Sequence, residues 1–91
     1  EFKMYRNYPN PFNGRTILMF DLPNKRPVSI HIYDLLGRII HSADLKIMKP
    51  GKHKFIWDGK DNDLKPVSSG MYFIHLKAGE EAQIQKMLLL K

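Results

Sequence analysis

Apolar and polar residues alternate with a period of two along most of this chain, a pattern typical of strands that bury one face. The first clear run is Thr16–Leu22, in which Thr16, Leu18, Phe20 and Leu22 point the same way. No stretch keeps the i, i+3, i+4 spacing of an amphipathic helix over three turns. The chain is therefore expected to form strands and no helix.

Further alternating runs follow, separated by residues that favour turns. They are Val28–Tyr33, Ile39–Asp44, His53–Trp57, Met71–Ala78 and Ile84–Leu90. Gly37 supplies the positive φ that a tight reversal at Asp34–Arg38 needs. About seven short antiparallel strands without helices predict an all-β, immunoglobulin-like β-sandwich. We expect residues 1–15 to be an extended lead-in rich in Pro and Asn, and residues 16–91 to be the single sandwich domain.

Composition narrows the class of protein. The chain has 91 residues, 43% of them hydrophobic and 26% charged, which favours one folded domain over a disordered segment. The net charge is +6, but the cations are spread out and form no block longer than Lys25-Arg26, so nucleic-acid binding is not expected. Cysteine is absent, which excludes disulfides and Cys-ligated zinc. No stretch approaches the roughly 20 apolar residues of a membrane-spanning helix.

Catalytic and metal-binding patterns are weak. The four histidines have no ligand spacing, although His31 and His75 could approach each other across neighbouring strands as a weak metal site. Asp58, Asp61 and Asp63 fail the EF-hand pattern, so we expect them to cap turns, with an irregular calcium site left open. No nucleophile elbow or phosphate loop occurs. We therefore expect no enzyme, no cofactor and no resident metal.

Two further features concern partners. Ile17, Met19, Met71 and Phe73 are apolar positions opposite the predicted core face, either covered by the N-terminal segment or exposed as a patch that docks a parent domain or a second copy. The last strand ends close to Lys91, which predicts a sheet edge whose backbone groups can accept another chain. The oligomeric state is not predicted.

Motifs carry the interpretation further than periodicity. Thr16 follows the string Asn7-Tyr8-Pro9-Asn10-Pro11-Phe12-Asn13, in which the prolines fix an extended, kinked entry and Phe12 can close one end of the sandwich. Later signatures are Ile32 to Arg38 with Asp34 and Gly37, then Trp57-Asp58-Gly59, then Gly70-Met71-Tyr72, and finally Lys86-Met87 before an apolar run and Lys91. In this order, the set resembles the C-terminal sorting domains of the type IX (Por) secretion system. It is similar also to the immunoglobulin-like module of flagellar hook-capping proteins.

The resemblance implies a non-catalytic domain that targets a larger exported protein to the type IX translocon for display at the cell surface or release. Its partners are then the outer-membrane secretion machinery and an upstream parent domain, with transit through the periplasm. We expect recognition through Gly37, Arg38, Lys86, Met87 and Lys91. The alternatives are a structural hook-cap module or a carbohydrate-binding module that stacks sugars on Trp57, Tyr33, Tyr72 and Phe73, although the face that Trp57 shares with Phe55 favours a core position.

One position departs from the family pattern. Leu64 stands where the related domains commonly have glycine, and leucine disfavours positive φ. We therefore expect the loop between Gly59 and Gly70 to take a different turn from theirs.

Overall fold

The computed structural model describes residues 1–91 and is all-β, with seven strands and no helix. These are β1 (Lys3–Met4), β2 (Thr16–Leu22), β3 (Arg26–Tyr33), β4 (Ile39–Met48), β5 (Gly51–Trp57), β6 (Gly70–Ala78) and β7 (Glu81–Leu89). They form a three-stranded sheet in the order β1-β2-β5 and a four-stranded sheet in the order β4-β3-β6-β7. Every neighbouring pair is antiparallel. The predicted immunoglobulin-like β-sandwich is confirmed.

The core lies between the sheets and uses the faces that alternation predicts. Leu18, Phe20 and Leu22 of β2 are buried, as are Ile30 and Ile32 of β3. Their burial follows from the period of two, because every second side chain of a strand points to the same face. The whole cluster comprises Phe2, Phe12, Leu18, Phe20, Leu22, Val28, Ile30, Ile32, Trp57, Tyr72, Ile74, Leu76, Ala78, Met87 and Leu89.

The lead-in is packed into the sandwich and joins its two sheets. Its β1 pairs with β2, and both Phe2 and Phe12 are buried in the core. Phe12 then pairs in parallel with β7, donating its N–H to the Leu88 carbonyl at 2.9 Å and accepting the Leu90 N–H at 2.9 Å. The same segment therefore completes one sheet near its start and the other near its end.

Strand ends differ from the predictions where alternation breaks. β4 continues past Asp44 to Met48 because a bulge in its pairing with β3 absorbs one residue, with Lys46 at a φ of 61°. Leu45 still packs against the core. β7 begins at Glu81, earlier than predicted, because Gly79 and Glu80 alone complete the turn after β6.

Leu64 adopts a φ of 64°, the positive value that its side chain was expected to disfavour. The expected difference from the loops of related domains stays a prediction. Hydrogen bonds of Asp61 hold the turn: its carboxylate accepts the N–H groups of Asp63 at 2.9 Å and Lys65 at 3.0 Å. Its carbonyl accepts the Leu64 N–H at 3.0 Å. These bonds offset the roughly 1–2 kcal/mol cost of the left-handed conformation for a residue with a Cβ. Leu64 therefore takes the conformation that a glycine would adopt more readily.

Candidate recognition surface

The reversal between β3 and β4 is held by Asp34. Its Oδ1 accepts the N–H groups of Leu36 at 3.0 Å and Arg38 at 2.9 Å, and its Oδ2 accepts Nε of Arg38 at 2.8 Å. The Gly37 N–H closes the turn on the Asp34 carbonyl at 3.0 Å, with Gly37 at a φ of 83° as predicted. An aspartate at the first position of a turn is suited to this role because its short side chain reaches the following amides.

These bonds also set the charge of the turn. The Arg38 backbone N–H is the main cause that holds the pKa of Asp34 below its ordinary value, and the Arg38 side chain and the Leu36 N–H add to it. The carboxylate therefore stays ionised while it orders the turn. Because the Asp34–Arg38 salt bridge is mostly exposed on the arginine side, the cation remains accessible to a partner.

Leu35 and Leu36 project from this ordered turn into solvent, with 70% and 79% of their surfaces exposed. Neither leucine was predicted from the sequence as a contact residue. The signal that was available is their position: they occupy the middle of an Asp-to-Gly reversal, where side chains point away from the sandwich. Exposed leucines held on a rigid turn are candidate contacts for another protein.

The same end of the sandwich carries a shallow depression of about 510 Å³. It is lined by the turn residues Asp34, Leu35, Leu36 and Arg38 and by the loop segment 66–72. Lys91 joins this end, because its N–H donates to Oγ of Ser69 at 2.9 Å. Of the predicted recognition residues, the fold thus brings Gly37, Arg38 and Lys91 together. We call this region, comprising Asp34–Arg38, residues 66–72 and Lys91, the turn end.

Lys86 and Met87 lie apart from the turn end, along β7, which is an edge strand as predicted. The Lys86 side chain is exposed. Met87 points the other way and is 1% exposed within the core. The expectation that Met87 contacts a partner is corrected: period-two alternation makes it a packing residue, and only Lys86 is presented to solvent.

Three aromatic residues of the motifs pack together in the core beneath the loops of the turn end. Phe12 packs against Trp57 with ring centroids 5.6 Å apart, and Tyr72 meets Trp57 edge-on at 5.3 Å. The Trp57 Nε1–H donates to the Lys60 carbonyl at 2.9 Å, and the Tyr72 hydroxyl donates to the Ser68 carbonyl at 2.6 Å. Burial raises the pKa of Tyr72 above its ordinary value. The lead-in and the loop between β5 and β6 are thus tied to one aromatic cluster.

Other motif residues act through their backbones or through short polar contacts. Tyr8 is 78% exposed but pairs with Ile17 through its backbone, and the Pro9 carbonyl accepts the Thr16 hydroxyl at 2.8 Å. Asp58 accepts the Lys60 N–H at 3.2 Å. Pro11 and Asn13 are exposed on either side of the buried Phe12. Gly70 is the first residue of β6 and lies opposite Leu89.

Asn7, the first residue of the motif, is buried, with 3% of its surface exposed. Its Nδ2 donates to Oγ1 of Thr16 at 2.9 Å, and its Oδ1 accepts Nδ2 of Asn10 at 3.5 Å. A buried polar side chain of this kind needs partners, because an unpaired amide costs about 1–3 kcal/mol. An asparagine inside a motif rich in proline was the only available signal.

The residues of the candidate carbohydrate and metal sites do not come together as binding sites in the structure. Trp57 and Tyr72 are buried in the core, so they cannot form a sugar platform with Tyr33 and Phe73 on the outer face. His31 and His75 do meet, with ring centroids 6.4 Å apart, but no group of three His, Asp or Glu side chains converges on a common point. No helix of membrane-spanning length and apolarity is present.

The apolar positions opposite the core do not form one patch. Ile17 and Met19 lie on the outer face of the three-stranded sheet, while Met71 and Phe73 lie on the outer face of the four-stranded sheet. These faces are on opposite sides of the sandwich. All four side chains are half-buried.

Fold and surface together define an immunoglobulin-like domain with a structured, solvent-facing turn end. Residues 6–90 match the model of the secretion system C-terminal sorting domain, and the chain belongs to this family. The predicted sorting function in type IX secretion, with export to the cell surface or beyond, is thereby confirmed. The family is in general non-catalytic. No curated protein matches the chain significantly.

Solved structures agree on the fold. Dimeric latent PorU from Porphyromonas gingivalis superposes with a TM-score of 0.73 at 16% identity, covering 99% of this chain and 9% of that one. PorZ, an essential surface component of the type-IX secretion system of that organism, superposes with a TM-score of 0.60 at 17% identity, covering 99% of this chain and 11% of PorZ. FlgD from Pseudomonas aeruginosa superposes with a TM-score of 0.64 at 21% identity, covering 81% of this chain and 57% of FlgD. The chain thus spans at most 57% of the length of these three structures, which share the fold.

Proposed function

We propose that the outer-membrane secretion machinery recognises this domain by direct protein contact at the turn end, and so exports the larger protein to which the domain belongs. Family membership supports the sorting role. The observation that supports this location is the rigid display of Leu35 and Leu36, exposed at 70% and 79% on a turn fixed by hydrogen bonds of Asp34. An ordered apolar contact loses little conformational entropy when it docks.

The cations around these leucines would set the orientation of the partner. The Arg38 side chain is 73% exposed at the same turn as the two leucines, and Lys91 stands at the same end through its contact with Ser69. Lys86 adds a cation on the β7 edge. Charges at the rim of an interface mainly affect the association rate and the choice of partner. Gly37 contributes indirectly by allowing the turn to close.

The lead-in would connect the domain to an upstream parent domain. Residues 1–15 carry the chain along both sheet edges before the sandwich strands begin at Thr16. We propose residues 16–91 as the body of the sorting domain, with the lead-in as the fixed junction. A parent domain would therefore emerge beside β1, away from the turn end, which leaves that end open to the machinery.

The proposal is tested by fusing the 91-residue chain behind a periplasmic reporter in a host with type IX secretion. The fusion should reach the cell surface or the medium. The double variant Leu35→Ser/Leu36→Ser should leave the reporter in the periplasm, because it removes the apolar contact and buries nothing new. The measurement is protease accessibility of the reporter on intact cells.

The matched control is Ile47→Ser, since Ile47 is 63% exposed on β4, outside the turn end. It should be exported like the parent fusion. Periplasmic retention of the unmodified fusion would refute the sorting function of this chain. Normal export of the double leucine variant would refute the assignment of the contact to the turn end.

A further inference from the structure

The edge of β7 is open over half of its length. Asn10 covers the other half: its Oδ1 accepts the Leu88 N–H at 3.0 Å, and its Nδ2 donates to the Lys86 carbonyl at 3.4 Å. These contacts show that the backbone groups of Leu88 and Lys86 point away from β6. Hydrogen bonding alternates along an antiparallel strand, so the backbone groups of Ile84 and Ala82 point outward too. No strand pairs with them.

This open half differs from the other edge of the same sheet. β4 has two register shifts in its pairing with β3 and a left-handed Lys46, features that disturb an edge and discourage further pairing. β7 pairs with β6 in unbroken register from Glu81 to Leu89. A regular edge with unpaired backbone groups is a template for one more strand.

A groove of about 420 Å³ runs beside this open half, between β7 and the lead-in. Met4 and Ile84 form its apolar part, and Ile84 is 58% exposed. Arg6 and Lys86 are its only charged lining residues, and neither has a carboxylate partner in the domain. The groove therefore combines a row of backbone donors and acceptors with a positive, partly apolar wall.

We propose that the Ala82–Lys86 edge binds an extended peptide segment with carboxylate side chains, which adds to the four-stranded sheet as a fifth strand. The peptide backbone would pair with Ala82 and Ile84, and its carboxylates would meet Arg6 and Lys86. A second copy of this chain is disfavoured as the occupant, because it would bring its own Arg6 and Lys86 and a net charge of +6 to the same place. Lys86 is also part of the recognition surface proposed above, so this inference rests on the proposed function in its use of Lys86.

The test is a titration of the isolated chain with labelled, capped seven-residue peptides, followed by fluorescence anisotropy. A peptide that alternates valine and glutamate should bind saturably, and one that alternates valine and lysine should not. The double variant Arg6→Glu/Lys86→Glu should bind the acidic peptide about tenfold or more weakly, and it should bind the basic peptide. Lys54→Glu changes an exposed cation on the other sheet and should have little effect.

A backbone variant separates strand addition from simple charge attraction. Ile84→Pro removes the outward N–H without removing a bond to β6, so it should abolish binding, whereas Ile84→Thr keeps the N–H and should bind. Binding should also slow hydrogen exchange at the Ile84 amide. Absence of binding, equal loss with Lys54→Glu, or self-association through β7 in the unmodified chain would each overturn the proposal. Because no secretion machinery takes part, failure here leaves the export test of the turn end unaffected.

Discussion

The two halves of β7 show how one strand serves two purposes. In its second half, Met87 and Leu89 are buried in the core, and Asn10 and Phe12 of the lead-in hydrogen-bond to its outer edge. In its first half, Ile84 is 58% exposed and no segment covers the edge. Both halves have the same regular pairing with β6. The difference therefore comes from the lead-in, which hydrogen-bonds to the backbone edge of one half. It contacts the other half through the Gln85 side chain, whose Nε2 donates to the Tyr5 carbonyl at 2.8 Å.

The largest effect should come from emptying a core position in the covered half. Leu89→Ala removes a fully buried side chain and should lower the free energy of unfolding by about 2–5 kcal/mol. Ile84→Ala, in the open half, should change it by no more than about 0.5–1 kcal/mol. Urea unfolding followed by Trp57 fluorescence measures both. Equal losses for the two variants would show that the halves do not differ as the structure indicates.

An intermediate effect should follow from uncovering the protected edge. Asn10→Ala removes the side chain that bonds Leu88 and Lys86 and also the buried Asn7, and it should cost about 1–3 kcal/mol because Asn7 loses a partner where water is excluded. The Leu88 amide should then exchange hydrogen faster, while the amides that bond β6 change little. NMR hydrogen exchange measures this. Unchanged protection at Leu88 would mean that Asn10 does not cover this edge.

The smallest effect should appear at the turn end, where a comparison by pH isolates Asp34. Its pKa is lowered in the fold, so its stabilising contribution is present above the ordinary aspartate range and disappears as the pH falls below about 4. Asp34→Asn should therefore lower Tm modestly at pH 7, and this difference should shrink toward pH 2. Asp63→Asn, whose side chain accepts no hydrogen bond, is the control. A Tm difference that is independent of pH would contradict the role of the carboxylate.

Much of this molecule could be predicted from local pattern. Alternation in Thr16–Leu22 and Val28–Tyr33 identified the buried faces, because a strand has only two faces and a buried one must be apolar. The Asp34–Arg38 turn was equally clear, since its hydrogen bonds all lie within a few residues. The string from Asn7 to Asn13 pointed to the family that the match over residues 6–90 established.

Long-range contacts decided the rest. Leu64 is the exception, because Asp61, only three residues away, holds it in the left-handed conformation that its own propensity disfavours. Met87 looked like part of a surface motif but is buried, since the register with Tyr72 turns it inward. Leu35 and Leu36 gain their importance only when Lys91 and residues 66–72 assemble around them. The pattern along a chain reports which face of a strand is apolar, whereas the covering of an edge or the building of a surface depends on residues distant in sequence.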